Sequence, residues 1–320
     1  MAMKNANNAL FWQIDHQIKK SESQEGLVIL PSRQAYKELD WTRNLFVDKP
    51  KEGYFVWLKK QIDFPLTTCI TIASPKTTQN LTNLLVIEKN IKAEANVVCN
   101  AAEKSLCATH RAQGRLILKK GASLVYNHFH QWGEEDFVNP DYEFILKENS
   151  RLAYNYRSIA SPKDLRLKTT IVSQKNSSCN INFVARGLGS KIAIEDTVFL
   201  RGVGARGIVK LRLVGGKDSQ IKAVSKIVAE KESLGHLDCQ GLLINEKAEI
   251  SLTPQLIVQN KKAQITHEAS VGRIAEESLN YLRSRGLTED EAIDLIAAGF
   301  LGEEEPLVIG GRIISSKLYM

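Results

Sequence analysis

From about residue 66 to residue 273, short runs of Val, Ile, Leu and Thr alternate with polar residues, the period-two pattern of strands with one buried face. The local sequence recurs along with the spacing. Ile117 to Asn127 (ILKKGASLVYN) returns as Ile145 to Asn155 (ILKENSRLAYN) at an offset of 28, and as Val172 to Asn182 (VSQKNSSCNIN) after a further 27. Later turns at Lys217-Asp218, Lys247-Ala248 and Lys262-Ala263 follow at a similar interval and then at half of it. Each unit reads as strand, two-residue polar turn, strand. Such a unit cannot bury its apolar face alone, so a fixed period predicts stacking into a solenoid. An antiparallel sandwich also has short strands and frequent turns, but it gives no reason for the local sequence to repeat.

The flanks have helical periodicity. Residues 5–20 (NANNALFWQIDHQIKK) and 31–46 (PSRQAYKELDWTRNLF) carry apolar residues at helical spacing, the second opening with Pro31 and Ser32. After residue 273, Leu279 and Leu282 share a face, Glu276 and Glu277 sit in a first turn, and Arg283 and Arg285 in a last. Gly286 ends that helix. Thr288 with Glu291 forms a capping box, and Ala292, Ile293, Ile296, Ala297 and Phe300 make the stripe of a second helix. The predicted organisation is a partly helical region at 1–65, a β-helix at 66–273, a helical hairpin at 274–302, and a tail at 303–320 to which no role is assigned.

Composition narrows the classes. With 320 residues and 43% hydrophobic content, the chain can bury a sizeable core. No apolar run is long enough to span a bilayer and the start MAMKNANNALFW lacks the features of a secretory signal, so the expectation is a cytoplasmic protein without a membrane. The five cysteines are odd in number and scattered, which favours reduced thiols over a disulfide framework. The net charge of +7 is spread along the chain without a nucleic-acid motif, so no nucleic-acid partner is expected.

Three segments carry candidate chemistry. In His236 to Ile274, the separation of Cys239 from His267 is close to one coil of the repeat, so that stacking would make them neighbours with Glu268 beside His267. Thiolate, imidazole and carboxylate together suit iron or zinc; by spacing alone, a structural Cys and a hydrogen-bonded His are the commoner explanation. In Gly121 to Glu134 (GASLVYNHFHQWGE), His128 and His130 approximate the first metal motif of the cupins, giving a cupin-like metalloenzyme as an alternative. The second cupin motif is missing, and paired surface histidines on a strand are the commoner explanation. GLGSK at 187–191 lacks the spacer of a phosphate loop and is flanked by strand-like sequence, so the chain supplies no ATP hydrolysis of its own.

The segment from His236 to Ile274, followed by SLNYLRSRGLTEDEAIDLIAAGF at 278–300, resembles the C-terminal signature of the SufB/SufD family. Its marks are a Cys in a strand, a Pro downstream of it (Pro254), a HEA triplet and a YLRSRG helical hairpin. The resemblance implies a mainly β protein built on a right-handed parallel β-helix, and a scaffold for building and transferring iron–sulfur clusters that is not an enzyme. It implies that Cys239, His267 and Glu268 hold a transient 2Fe-2S or 4Fe-4S cluster. Cys107, in SLCATH, would correspond to a cysteine receiving persulfide sulfur from a cysteine desulfurase or another source. It further implies a SufC-like ABC-type ATPase docked on the hairpin through Leu279, Leu282, Ile293, Ile296 and Phe300, and a homodimer or a pair with a SufB/SufD paralogue. A SufD-like accessory subunit that holds no cluster alone is a second alternative.

Overall fold

The computed structural model describes residues 10–302, 308–309 and 312–313. Its body is a parallel β-solenoid of about eight turns formed by two long sheets. Sheet A contains β1 (Phe11–Ile14), β2 (Gln17–Ser21), β5 (Leu66–Ile72), β7 (Lys92–Ala101), β9 (Ser123–Gln131), β11 (Arg151–Ala160), β13 (Ser178–Leu188), β15 (Ala205–Gly216), β17 (Ser233–Leu243) and β19 (Gln264–Arg273). Sheet B contains β3 (Leu27–Pro31), β4 (Tyr54–Leu58), β6 (Thr78–Ile87), β8 (Thr109–Leu118), β10 (Phe137–Leu146), β12 (Asp164–Ser173), β14 (Lys191–Leu200), β16 (Gln220–Ala229) and β18 (Glu249–Val258). From β5 onward the chain alternates between the sheets, and each strand pairs in parallel with the next strand of its own sheet. The parallel pairing excludes the sandwich.

The recurring sequence is the recurring coil. Ile117 lies opposite Ile145, and Asn127 opposite Asn155, which is opposite Asn182. Those asparagines join side chain to side chain: Asn127 Nδ2 donates to Asn96 Oδ1 (2.9 Å), Asn155 Nδ2 to Asn127 Oδ1 (2.9 Å) and Asn182 Nδ2 to Asn155 Oδ1 (2.8 Å). One corner of the coil is a stack of residues in the left-handed region: Asn90, Gly121, Asn149, Asn176 and Gly204, with φ between 53° and 74°. Asn and Gly tolerate this conformation best. A Cβ on Gly121 would collide with the Asn90 side chain, and one on Gly204 with that of Asn176, so glycine is required at both positions.

The two sheets enclose a continuous apolar core that includes an aromatic stretch of Tyr126, Tyr142, Phe144, Tyr154, Tyr156 and Phe183, all fully buried. The N-terminal flank differs from its periodicity. Residues 11–20 of the 5–20 segment expected to be helical fall instead in the β1–β2 hairpin, which turns at Asp15 with φ of 49°, and β1 joins β5 in parallel with Phe11 opposite Thr68. Burying Phe11 in the solenoid core outweighs the local helical pattern. The second predicted helix shortens to α1 (Ser32–Glu38) and a 3₁₀ turn at Asp40–Thr42. The sheets also begin before residue 66, since β4 pairs in parallel with β6.

The C-terminal hairpin forms as α2 (Glu276–Ser284) and α3 (Glu289–Leu301). Both capping-box bonds are made: Glu291 N–H donates to Thr288 Oγ1 (3.3 Å) and Thr288 N–H to Glu291 Oε2 (2.8 Å). The hairpin lies along the flank of sheet A, where Ala297 and Leu301 are buried against Val184, Val214 and Leu242. An ion pair between Arg186 and Asp294 adds to this contact. Most of the 303–320 tail lies outside the described residues; among those described, Val308–Ile309 and Arg312–Ile313 pair as short antiparallel strands.

Candidate functional site

Strand register decides which residues of the last two coils meet. Leu237 lies opposite His267, Asp238 opposite Glu268, and Cys239 opposite Ala269. Successive side chains of a strand point to opposite faces, so Cys239 and His267 share the inward side as diagonal neighbours on adjacent strands. Glu268 projects from the outward side. There His236 Nε2 donates to Glu268 Oε1 (3.2 Å), and Thr266 Oγ1 donates to His236 Nδ1 (2.8 Å). Beside them Arg212 grips Asp238 through two bonds, Nη1 to Oδ1 at 3.0 Å and Nη2 to Oδ2 at 2.6 Å, which holds the Asp238 carboxyl below the usual carboxylate range. The fold thus brings Cys239 and His267 to one side, and places Glu268 in an outer polar cluster.

Cys239 is 1% exposed, and burial together with the nearby Asp196 carboxyl pushes its thiol up to about 12. Asp196 is itself raised to about 7 by burial; Ser225 Oγ donates to its Oδ1 at 2.6 Å, while its Oδ2 has no partner. This Asp196–Ser225 pair is a polar spot in the core that faces Cys239. His267 and the rest of β19 are largely exposed, because no further coil covers this end among the described residues.

The imidazoles of His128 and His130 are buried, at 0% and 3% exposure, which corrects the surface pair expected from sequence. Their positions in β9 are inward, between Tyr126 and Trp132. His130 lies opposite Cys99 of β7, and the two Nε2 atoms are 2.9 Å apart, with Cys99 Sγ 3.7 Å from His128 Nε2. Tyr156 Oη is 3.0 Å from His130 Nδ1, and Tyr154 Oη is 3.4 Å from His128 Nδ1. Burial pushes His128 down to about 3 and lowers His130 as well, so both rings are neutral at physiological pH. Among the described residues these three form a group of metal-ligating side chains whose donor atoms all lie within 4.8 Å of one another. The partner Cys99 was not singled out from sequence. Its signal is its separation from His130, which equals the length of the coil leading from β7 to β9.

Cys107 is exposed, while the other four cysteines are buried. It has φ of 51° in the loop before β8, between the buried Leu106 and Ala108. Four to five coils separate it from Cys239, roughly 19–24 Å along the solenoid axis at the spacing of neighbouring strands. In the hairpin, Ile296 and Phe300 pack on the solenoid flank. Leu279, Leu282 and Ile293 stay partly open, and Tyr281 on α2 is 59% exposed.

A family model described as the SUF system FeS cluster assembly, SufBD core domain, matches residues 70–300. An iron-sulfur cluster assembly SufBD family protein of Methanothermobacter thermautotrophicus strain Delta H is 30% identical over 255 residues, covering 78% of this chain and 62% of the relative. Its counterpart in Archaeoglobus fulgidus is 26% identical over 319 residues, covering 93% and 85%. One from Pyrococcus horikoshii is 27% identical over 317 residues, covering 92% and 70%. The chain spans 62% and 59% of the lengths of the two Methanothermobacter relatives.

Proposed function

The chain belongs to the SufBD family of iron–sulfur cluster assembly proteins, and from that membership we propose that it is a scaffold on which a transient cluster is built and released. In this reading Cys239 and His267 supply thiolate and imidazole ligands, Glu268 a carboxylate once the last coil rearranges, and the cluster is cargo. A soft thiolate with labile nitrogen and oxygen ligands suits a cluster that must leave. The observation that carries the proposal is the common inward side of Cys239 and His267 on β17 and β19, at the uncovered end of the solenoid. One chain offers too few ligands there. A second copy, or a paralogue, pairing along β18 and β19 would supply more and cover the open edge.

Cys239 is too buried to act as a nucleophile or ligand without a movement of the last coils. A SufC-like ABC-type ATPase gripping the hairpin would provide it, because α3 is seated on β13, β15 and β17, and β17 carries Cys239. The open side of α2, marked by Tyr281, is the face offered to that partner. Cys107 is the exposed thiol suited to receive persulfide sulfur from a cysteine desulfurase or another donor.

The test is anaerobic reconstitution with iron and sulfide, read by the sulfur-to-iron charge-transfer absorbance. Wild-type protein is expected to hold a cluster, and Cys239→Ser to lose it with its far-UV circular dichroism unchanged. A full cluster on Cys239→Ser would refute the assignment. A chain that gains a cluster only with a paralogue would be the SufD-like accessory subunit.

A further inference from the structure

We propose that Cys99 Sγ, His128 Nε2 and His130 Nε2 form an interior binding site for one borderline transition-metal ion, Zn(II) or Fe(II), distinct from the Cys239 region. The proposed cluster chemistry uses none of these three residues. They sit in the aromatic part of the core, where a buried polar group needs a partner, and they find partners only in one another and in two tyrosine oxygens.

The distances fit. Metal–nitrogen bonds of about 2.0 Å and a metal–sulfur bond of about 2.3 Å set tetrahedral ligand atoms roughly 3.3 Å (N to N) and 3.5 Å (N to S) apart. The observed separations are 2.9 Å between the Nε2 atoms and 3.7 Å from Sγ to His128 Nε2, with Sγ to His130 Nε2 within 4.8 Å, so an ion would need the two rings to part by a few tenths of an ångström and the thiolate to settle between them. Both Nδ1 atoms face tyrosine oxygens, Tyr154 Oη and Tyr156 Oη, which can accept N–H bonds. In the ion-free chain one Nε2–H donates to the other across 2.9 Å; with both hydrogens on Nδ1 the two Nε2 lone pairs would face the ion, the arrangement by which second-layer groups orient histidine ligands.

A third imidazole supplies an independent observation. Gln79 Nε2 donates to the carbonyls of Asp15 and Thr71, which fixes Gln79 Oε1 towards His110 Nδ1 at 3.1 Å. His110 Nδ1 therefore carries the hydrogen, and His110 Nε2 is a bare, fully buried lone pair with no partner. Its ring lies 5.9 Å from that of His130. A three-ligand site leaves one metal position open; His110 lies outside the three-donor group, so its unused acceptor would serve a water held at that position and not the ion itself. Trp132, packed on both His110 and His130, also lines an open pocket of about 510 Å³ with Cys69 and Asn100, so one side chain stands between that pocket and the site. On binding, the Cys99 S–H bond breaks, its electron pair forms the sulfur–metal bond, and the proton leaves to solvent.

The experiment uses the full chain, produced with Co(II) in the medium and, in parallel, refolded from urea with Co(II) or Zn(II) under reducing conditions. The expected result is one equivalent of metal, a thiolate-to-cobalt charge-transfer band with tetrahedral ligand-field absorption, and displacement of cobalt by Zn(II). Metal analysis of protein made without supplement separates Zn(II) from Fe(II) as the native occupant. Cys99→Ser should lose the charge-transfer band, and Cys239→Ser should keep it, so this proposal and the cluster assignment fail independently. Tyr156→Phe preserves the packing and removes only the oxygen facing His130; it should weaken binding by about 10- to 100-fold. Less than a tenth of an equivalent in the wild-type chain by both routes, or a band unchanged in Cys99→Ser, would overturn the site.

Discussion

Replacing Asp196 by Asn should flatten the pH dependence of stability above pH 5. The carboxyl is fully buried, accepts one bond from Ser225, and has an unpartnered Oδ2. Burial raises it from its ordinary 3.8 to about 7. Because the folded-state value is the higher one, the contribution of Asp196 to stability is complete below 3.8 and is lost as pH rises to about 7. At roughly 1.4 kcal/mol per pH unit the whole loss is about 4 kcal/mol, of which about 2–3 kcal/mol falls between pH 5 and 8. Asparagine keeps an acceptor for Ser225 Oγ and cannot ionise. Urea unfolding of the reduced protein at pH 5, 6, 7 and 8 should show the variant gaining on the wild type by that amount across the series. Its absolute stability will also reflect the unpartnered amide nitrogen, worth about 1–3 kcal/mol, so the slope is the diagnostic quantity. Parallel profiles for the two proteins would refute the reasoning.

Asn155→Ala removes the middle of the asparagine ladder and strands Asn127 Oδ1 and Asn182 Nδ2, which should cost about 1–3 kcal/mol in chemical denaturation. Maleimide labelling of the native, reduced chain should modify Cys107 quickly and the four buried cysteines only after unfolding, as read by peptide mass spectrometry. Tyr281→Asp, on the open side of α2, should abolish co-purification with a SufC-like ATPase while leaving thermal stability unchanged. Ile296→Asp should instead lower the melting temperature, because Ile296 packs on the solenoid flank.

The solenoid was legible because the side-chain columns of a parallel stack repeat residue for residue, as Ile117 with Ile145 and Asn127 with Asn155 do. The capping box at Thr288 and Glu291 was equally local and equally readable. The β1–β2 hairpin was not: its short strands depend on β5, whose Thr68 lies opposite Phe11 far along the chain. The coil from β17 to β19 is 30 residues, two more than the spacing of Cys239 and His267, so the pair falls on adjacent strands as diagonal neighbours and not directly opposite. The outward position of Glu268 was already implied by alternation, since neighbours in one strand point to opposite faces. The Cys99–His130 pairing escaped notice because the coil from β7 to β9 is longer than the coils from β9 to β11 and from β11 to β13, whose sequences revealed the period.

The two ends of the solenoid set a limit on how copies can join. At one end, among the described residues, the outer strands are the five-residue β2, paired antiparallel to β1 and carrying Lys19 and Lys20, and the five-residue β3, which ends in Pro31; both are poor templates for further growth. At the other, β18 and β19 each offer a ten-residue edge with no partner among the described residues. Joining the unlike ends would generate an open fibre, and the short lysine-bearing hairpin opposes that. Joining the like edges about a two-fold axis uses up both and leaves nothing to propagate. The asymmetry of its ends therefore favours assembly that terminates at two solenoids over polymerisation, even though one end of the molecule exposes the kind of edge from which fibrils grow.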